Sequence, residues 1–356
     1  MSLDENKAEQ FAERFMGTLN AGALCLMVSI GHRTGLFDTL AEMDSGTSET
    51  IARRAGLDER YVREWLGAMV TGNIVAYDPA TGVYSLPAEH AAFLTRGATP
   101  DNMAVFAQYI PLLGSVEDDV IECFKNGGGV PYARYPRFHE VMAEDSGQTV
   151  LSSIFDHILP LVPGLCEQLR EGIHVLDVGC GSGRAINLMA AEFPNSRFFG
   201  YDLSGEAIDT ARREANGKNL NNVSFESRDL SSFDNDSGEV QFDLITAFDA
   251  IHDQAQPRAL LKGIARTLKP DGIFLMQDIH GSSHVHNNRE HPIGPFLYTI
   301  SCLHCMTVSL AQGGEGLGAM WGREKAQELL QEAGFGRVAI HSLDHDIQND
   351  YYIVQK

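Results

Sequence analysis

This chain of 356 residues has few cysteines, few basic residues and only short apolar runs. Its six cysteines are too sparse for a disulfide scaffold at this size. The longest apolar run, 21–30, falls far short of the roughly 20 residues that a membrane span needs. The 27 Lys and Arg against 48 Asp and Glu leave a net charge of −21, which repels nucleic acids and anionic membranes. The charged N-terminus predicts no signal peptide, so we expect a cytoplasmic protein with neither nucleic acid nor membrane as a partner.

A glycine-rich turn between an apolar run and a helix-like stretch is the most informative motif present. The run contains Asp177, three glycines alternate at Gly179, Gly181 and Gly183, and residues 184–193 read as a helix. A strand, a glycine turn and a helix start let the backbone approach a ligand. Dinucleotide sites carry their third glycine one position later, and Asp177 suits an ammonium group better than a pyrophosphate. The motif therefore favours S-adenosyl-L-methionine (SAM), which carries an ammonium and no phosphate.

Acids recur where the next three predicted strands end. Asp202, followed by Leu203, lies at the usual distance for gripping a ribose through both hydroxyls. Asp229 could accept a hydrogen bond from an adenine amino group while Leu230 covers the ring, and Asp249 ends the fourth strand. A single strand-end Asp is more often a turn former or helix cap. Several in succession predict a ligand above the carboxyl edge of a parallel sheet.

Residues 171–356 resemble the class I SAM-dependent methyltransferases in the glycine motif, the ribose acid and the Asp-Leu pair. The resemblance implies an enzyme with an α/β fold, a Rossmann-like seven-stranded sheet that binds SAM and releases S-adenosyl-L-homocysteine. The segments 336–343 and 350–356 would then form the antiparallel hairpin at the edge of the family's sheet. These motifs are specific for the fold and the cofactor, and they say much less about the methyl acceptor.

Residues 1–100 read as a mostly helical unit that ends in a β-hairpin. Two short helices, 48–56 and 59–72, precede strands at 74–77 and 83–86, which is the order of a winged helix-turn-helix. DNA binding is the obvious interpretation, but glutamates offset the arginines of the second helix. The alternative is a winged helix used for dimerisation, because the preceding helix is apolar nearly all round and suits burial between subunits.

This combination resembles the small-molecule O-methyltransferases of the caffeate and hydroxyneurosporene type, together with uncharacterised bacterial and nematode methyltransferase-like proteins. The resemblance implies a homodimer formed through the N-terminal domain and a helical connector, 101–170, that roofs the acceptor pocket. In the connector, a triple glycine precedes the aromatic residues Tyr132, Tyr135 and Phe138. These rings either line the acceptor pocket or provide plain packing between domains.

His252, just past the fourth strand, is the candidate general base. Methyl transfer from a sulfonium is an in-line displacement in which positioning supplies most of the rate. A phenol with a pKa near 10 needs a base, whereas a thiol needs less help. In the O-methyltransferases that the chain resembles, a His-Asp pair at this place carries the base, and Asp253 matches that pair. The aromatic residue that usually follows is Gln254 here, and the alternative is a histidine that packs or caps the next helix.

Cys302 and Cys305 flank His304, which suggests a metal site or a redox pair. A structural zinc site would need a second pair with similar spacing, and the sequence has none. We therefore expect no metal, and arsenite-type methylation on these thiols is an outside alternative.

The segment 280–321 reads better as a lid over the acceptor site. Its glycines would act as hinges, while Met306, Met320 and Trp321 would form adaptable apolar walls. We expect these three residues to contact the acceptor together with His304 and the connector tyrosines.

The sequence thus predicts a SAM-dependent methyltransferase that acts on a small-molecule acceptor, and we expect the methyl group to go to a hydroxyl oxygen. An S-methyltransferase for a thiol or metalloid acceptor, relying on positioning, is the nearest alternative. A SAM-responsive winged-helix regulator and a catalytically silent SAM-binding partner subunit are alternatives from other classes.

Overall fold

The computed structural model describes residues 3–235 and 241–356, and the chain divides into two units after Gly114. The first unit is mainly helical. Its elements are α1 (Glu5–Thr34), α2 (Leu36–Ala41), α3 (Ser48–Ala55), α4 (Glu59–Thr71), β1 (Ala76–Asp78), β2 (Val83–Ser85), α5 (Ala88–Leu94) and α6 (Tyr109–Gly114). The antiparallel hairpin β1–β2 follows two short helices. The predicted winged helix-turn-helix is therefore present.

Local capping explains where the helices of this wing begin and end. The Asp58 side chain accepts from the backbone N–H groups of Arg60 and Tyr61, which starts α4. Gly56 ends α3 with φ 68°, a left-handed conformation that favours glycine. Trp65 is buried on α4, and its Nε1 donates to the Met27 carbonyl at 2.8 Å.

Helix α1 carries apolar side chains that its own unit leaves exposed. Phe15 is 51% exposed and Met16 64% exposed. By length and mean hydropathy, α1 and the helical segment 294–311 are each long and apolar enough to cross a membrane. Core helices of soluble proteins pass the same test, so the expectation of no membrane stays a prediction.

The second unit, Ser115–Lys356, is built on a sheet of seven strands among its described residues. The strands are β3 (His174–Val178), β4 (Arg197–Asp202), β5 (Val223–Ser227), β6 (Phe242–Phe248), β7 (Leu268–Ile279), β8 (Arg337–Leu343) and β9 (Asp346–Gln355). Their order is β5-β4-β3-β6-β7-β9-β8, in which β9 pairs antiparallel with both neighbours. This is the predicted Rossmann-like methyltransferase sheet with its edge hairpin.

Helices precede and connect the strands of this sheet. They are α7 (Glu117–Asn126), α8 (Phe138–Ser146), α9 (Leu165–Glu171), α10 (Arg184–Glu192), α11 (Gly205–Gly217), α12 (Pro257–Thr267), α13 (Gly294–Ile300), α14 (Met306–Ala311) and α15 (Gly322–Glu332). A π-helical turn, Ser301–Cys305, joins α13 to α14. Apolar clusters pack on each face, as expected for a parallel sheet buried on both sides.

Two predicted boundaries differ from the structure. The N-terminal unit extends past residue 100, because the turn Met103–Gln108 and α6 pack against α1. The predicted connector 101–170 is therefore shared between the two units. The last strand begins at Asp346 and not at residue 350. At the start of this strand, the Asp346 carboxylate accepts from the Asn349 backbone N–H at 3.1 Å.

Candidate functional site

The glycine loop lies where the sheet order reverses, between β3 and β6, which is where ligands bind in open α/β sheets. Gly179, Gly181 and Gly183 have φ of 71°, 53° and 70°, so each glycine of the motif lies in the left-handed region of backbone conformation. A Cβ on Gly179 would approach the Ala250 Cβ to 2.5 Å. The predicted close-approach turn is thus confirmed in its backbone geometry.

Asp202, at the end of β4, ties this loop to the neighbouring strand. Its Oδ2 accepts from the Gly181 backbone N–H, and its Oδ1 accepts from the Ser204 N–H, each at 2.8 Å. Each carboxylate oxygen keeps a second lone pair that could accept from a ribose hydroxyl. The predicted ribose acid therefore lies beside the glycine loop and accepts a hydrogen bond from its backbone.

The adenine-side residues differ in their surroundings. The Asp229 Oδ1 accepts from the Ser231 backbone N–H at 2.8 Å, an Asx-type turn. Leu203 is 54% exposed, whereas Leu230 is 6% exposed and packs in the core beside Phe233. Leu203 is therefore the more exposed of the two leucines, although the sequence predicts that Leu230 covers the adenine ring.

Asp177 lies within β3 and is 3% exposed. Its Oδ1 accepts from the Thr246 Oγ1 of β6 at 2.7 Å. Burial raises the pKa of Asp177 to about 7, although the Thr246 hydrogen bond works in the opposite direction. A carboxylate so placed would gain from a nearby cation.

Asp249, just after β6, has the positive φ of 55°, which is uncommon for a residue other than glycine. Its backbone N–H donates to the Gln277 carbonyl at 2.9 Å. Within the described part of the chain, the buried Oδ1 of Asp249 has no hydrogen-bond partner. Burial raises the pKa of Asp249 to about 7, against the lowering influence of His252.

These observations test whether the residues fit SAM. Asp177 of β3 and Asp249 after β6 lie on the two sides of the switch point, and burial raises the pKa of each to about 7. Asp249 Oδ1 lies 3.7 Å from His252 Nδ1, whereas Asp177 has no ion pair among the described residues. SAM brings two positive charges, an ammonium and a sulfonium, which would favour both carboxylates, so these residues fit the cofactor. A cavity of ≈ 460 Å³, lined by Ser182 and Arg184 among others, opens beside the glycine loop, and its lining does not include Asp177 or Asp249.

His252 is buried between β6 and α12, and its Nδ1 lies 2.8 Å from Asp278 Oδ1 at the end of β7. Burial lowers the pKa of His252, but the Asp278 charge and the contact with Cys305 outweigh it and raise the pKa well above 6.5. Nε2 is the nitrogen that Asp278 does not engage, and the Cys305 thiol is in hydrogen-bond contact with the same imidazole.

Asp278 is the functional residue that the sequence reasoning missed. Its Oδ1 accepts from three donors, since the Trp321 Nε1 lies at 2.8 Å and the Ile279 backbone N–H at 2.9 Å, in addition to His252. The available signal was an acid at the end of the fifth parallel strand, which is the rule that had selected Asp202 and Asp249.

Asp253 does not orient His252, which corrects the predicted pairing. Its Oδ2 accepts a hydrogen bond from the Tyr132 hydroxyl instead. The Nδ1 of His252 contacts Asp278 and not Asp253. Tyr132, predicted to line the acceptor pocket, is thereby joined to the segment that carries His252.

The connector aromatics form one cluster around His304. The His304 ring stacks on Phe138 with centroids 3.8 Å apart, and it meets Tyr135 edge-on at 4.9 Å. The Tyr135 hydroxyl donates to the Leu303 carbonyl at 2.6 Å. Burial lowers the pKa of His304 to about 3, so this imidazole is neutral. Its buried Nε2 has no partner among the described residues.

The lid segment is closely packed around Gly318. A Cβ on Gly318 would lie 2.4 Å from Ser301 Oγ, and Met306 is its next neighbour at 3.2 Å. Met320 is 8% exposed and packs in a cluster with Cys305. Gly318 therefore allows close approach of packed segments, and the expectation that the lid glycines act as hinges stays a prediction.

That the two lid cysteines hold no metal stays a prediction. Burial raises the pKa of the Cys305 thiol, which contacts His252, and Cys302 lies in the same π-helical turn. The ligand-type atoms of Asp249, His252 and Asp278 lie within 4.8 Å of one another. The Nδ1–Oδ1 distance of 2.8 Å is that of an N–H···O hydrogen bond, and we assign this group to hydrogen bonding.

Two family models match the chain. Residues 22–96 match the Rv2258c-like winged HTH domain, and residues 169–341 match the methyltransferase domain. Fold and site therefore resemble those of SAM-dependent methyltransferases that carry an N-terminal winged helix, and the match to the methyltransferase domain covers residues 169–341.

Individual relatives agree with this class. The chain is 30% identical over 110 residues to a ubiquinone biosynthesis O-methyltransferase of Coxiella burnetii, which is 31% of this chain and 45% of that protein. It is 32% identical over 108 residues to a fatty-acid O-methyltransferase of Mycolicibacterium smegmatis, 30% of this chain and 38% of that protein. The chain thus spans less than half the length of these curated relatives.

The fold is shared over the full length with a solved structure. Human N-acetylserotonin methyltransferase in complex with SAM superposes with a TM-score of 0.71 at 17% identity, covering 100% of this chain and 99% of that one. At this identity the likeness establishes the fold. It places both the winged helix and the connector in a known methyltransferase architecture.

Proposed function

We propose that this protein transfers the methyl group of SAM to a hydroxyl oxygen of a small-molecule acceptor, with His252 as the general base. The observation that carries the proposal is the 2.8 Å contact of His252 Nδ1 with Asp278 Oδ1, beside the glycine loop. A carboxylate on Nδ1 fixes the imidazole tautomer and leaves Nε2 to accept the proton of the acceptor hydroxyl.

Residues on the carboxyl edge of the sheet would hold the cofactor. Asp202 would bind the ribose, Asp229 the adenine amino group, and Leu203 the adenine face. Asp177 and Asp249 would neutralise the ammonium and sulfonium charges. When bound, SAM supplies an electrophilic methyl group, and the chain's part is to align the acceptor oxygen with it and exclude water.

The acceptor side favours oxygen over sulfur. A buried His-Asp pair is useful when a proton must leave a weakly acidic hydroxyl, whereas a thiol needs less help. The Cys305 thiol beside His252 has a raised pKa, which argues against a thiolate that captures a metalloid. The cluster of Tyr135, Phe138 and His304 supports an acceptor with a flat apolar body.

Methyl-label transfer from SAM tests this proposal. The acceptor panel contains phenols, hydroxy acids, thiols, amines and arsenite, and the variants are His252→Ala, Asp278→Asn and the exposed control His284→Asn. We expect labelling of a phenol or hydroxy acid that falls about 10²-fold or more at neutral pH in His252→Ala. A chelator should leave the rate unchanged.

Three outcomes would contradict the proposal. Labelling of a thiol or arsenite that survives His252→Ala would establish positioning as the whole mechanism. Loss of activity with a chelator would assign the group around His252 to a metal. SAM binding without labelling of any acceptor would favour a silent partner subunit. As a check on the cofactor residues, Asp202→Ala should weaken SAM binding by roughly 1.5–3 kcal/mol by calorimetry.

We also propose that the protein is a homodimer formed through α1. Four apolar side chains of this helix are each exposed by half or more: Phe11, Phe15, Met16 and Leu19. Contact of such a patch with water is unfavourable for an isolated chain. A second copy would cover them. Light scattering with Phe15→Glu should report a smaller species than the wild type, while Glu13→Gln, on the same helix, should not.

A SAM-responsive DNA-binding regulator is the second candidate, favoured by the winged HTH match. Its second helix, α4, pairs its arginines internally, since Arg60 contacts Glu64 at 2.5 Å and Arg63 contacts Glu59 at 3.3 Å. A regulator would bind DNA with a steep salt dependence. We expect no binding at physiological salt.

A further inference from the structure

Asp278 presents all its hydrogen bonding on one oxygen. Oδ1 accepts from His252 Nδ1, from the Trp321 indole and from the Ile279 backbone. Asp278 is fully buried, and its Oδ2 has no partner among the residues that the structure describes. Among the described residues, Trp321 is therefore the one side chain other than His252 that forms a hydrogen bond with this carboxylate.

Trp321 comes from a distant part of the chain. It ends the lid segment and immediately precedes α15, and it is 4% exposed in the core that includes Leu330. Packing holds the indole, and its Nε1 donates to Asp278 Oδ1 at 2.8 Å. Its position next to the lid had suggested a wall for the acceptor, but the structure directs its polar atom to Asp278.

We propose that Trp321 is a positioning residue of the base: its N–H, together with the Ile279 backbone N–H, holds the Asp278 carboxylate in place and shares the negative charge that faces His252. This inference rests on the proposed function for its effect on catalysis. It does not need that function for its effect on His252 itself.

The physical argument concerns how strongly the His252–Asp278 pair holds its proton. A carboxylate that accepts several hydrogen bonds attracts a neighbouring proton less, because its charge is already distributed. The titratable groups facing His252 are Asp278 and Asp249 from the sheet, Asp253 from its own segment, and Cys305 and His304 from the lid. Asp278 and Cys305 raise the pKa of His252. The Trp321 N–H weakens the effect of Asp278, which keeps more of the imidazole deprotonated near neutral pH.

Removing the indole N–H should therefore make His252 more basic. In Trp321→Phe we expect the His252 pKa to rise by about one unit, the order expected for one hydrogen bond to a charged group. The rate of methyl transfer should fall about tenfold at neutral pH and approach the wild-type rate at high pH. A merely structural role would lower the rate by the same factor at every pH.

The test is an NMR titration of histidine-labelled protein without any acceptor, with the His252 signal assigned by its loss in His252→Asn. The chain has two tryptophans, so Trp65→Phe is the matched control. The Trp65 indole donates to the Met27 carbonyl, and its removal should leave the His252 titration unchanged. This readout remains valid even if no methyl acceptor is found.

A second variant separates the N–H from the shape of the ring. In a Trp65→Phe background, the remaining tryptophan is replaced by 3-benzothienylalanine, which has the same outline and no N–H donor. The same upward shift of the His252 pKa would support the proposal. An unchanged His252 titration in the folded analogue, or a rate loss in Trp321→Phe that is uniform with pH, would overturn it.

Discussion

The Nδ1 of His252 lies 2.8 Å from the Oδ1 of Asp278, although 26 residues separate them and Asp253 is the sequence neighbour. Parallel pairing of β6 with β7 brings the two strand ends together, since Phe248 lies opposite Gln277 in the register. The residues that follow each strand then meet above the same edge. The contact between His252 and Asp278 is therefore a property of the sheet and not of a local motif.

The rate of methyl transfer to a phenol should rise with pH and level off above the pKa of His252. Protonated His252 cannot accept a proton, and its pKa is raised by Asp278 despite the opposing effect of burial. The active fraction at neutral pH is therefore smaller than for an ordinary histidine. A pH–rate profile measures this directly.

The control for that profile is a nitrophenol that is already ionised between pH 7 and 9. It needs no base, so its rate should be flat with pH and insensitive to His252→Ala. A nitrophenol rate that follows the phenol profile would show that the titrating group acts on cofactor binding.

Binding of SAM should release protons near neutral pH. The pKa values of Asp177 and Asp249 are raised to about 7 by burial, so each carboxyl is partly protonated there. A bound cation favours the charged form and lowers both pKa values, which expels protons and makes binding tighter at pH 8 than at pH 6. Calorimetry in phosphate and Tris buffers measures the proton count.

Two ligands sharpen this measurement. S-adenosyl-L-homocysteine keeps the ammonium and lacks the sulfonium, so it should release fewer protons than SAM. Adenosine carries neither charge and should release none. Equal heats in both buffers for SAM would mean that the two carboxyls do not face the bound cation.

His304→Phe should weaken discrimination between acceptors by about tenfold. The buried Nε2 of His304 is without a partner among the described residues, and the hydroxyls of Tyr132 and Tyr135 are already engaged. A polar substituent on the acceptor would satisfy it, and a site built this way rejects analogues that lack the group.

The measurement compares kcat/KM for a phenol with a neighbouring polar group and for its deoxy analogue, in wild type, His304→Phe and His304→Asn. The asparagine variant should retain part of the preference. Because the pKa of His304 is about 3, the preference should not change between pH 5 and 9. Equal preference in the phenylalanine variant would assign His304 to packing alone.

Gly129→Ala should destabilise the protein by roughly 1–3 kcal/mol, the usual cost of overpacking. A Cβ there would lie 2.0 Å from the Thr307 carbonyl oxygen and 2.3 Å from the Ala311 nitrogen, both backbone atoms of α14. Thermal unfolding checks this. The control is Gly147→Ala, where the described residues leave the space around a Cβ open, and which should be neutral or slightly stabilising.

Much of the fold could be predicted because its signals are local. The alternation of glycines after β3 and the caps at Asp58 and Gly56 depend on residues a few positions apart, and the structure confirms the turn and the wing. Strand ends that carry acids could be predicted for the same reason. The acid at Asp278 follows the same rule, but its contact with His252 joins residues 26 positions apart, which no local spacing indicates.

The sequence by itself determined the class of protein: a SAM-type glycine loop on a parallel α/β sheet, preceded by a winged helix. These features follow from short-range backbone preferences and from the period of the apolar residues. Only the tertiary structure decided which partners the polar side chains take. In the folded chain His252 contacts Asp278, Asp253 accepts from Tyr132, and the Trp321 indole donates to Asp278. Hydrogen bonds between distant segments depend on strand order and packing, which no local spacing encodes.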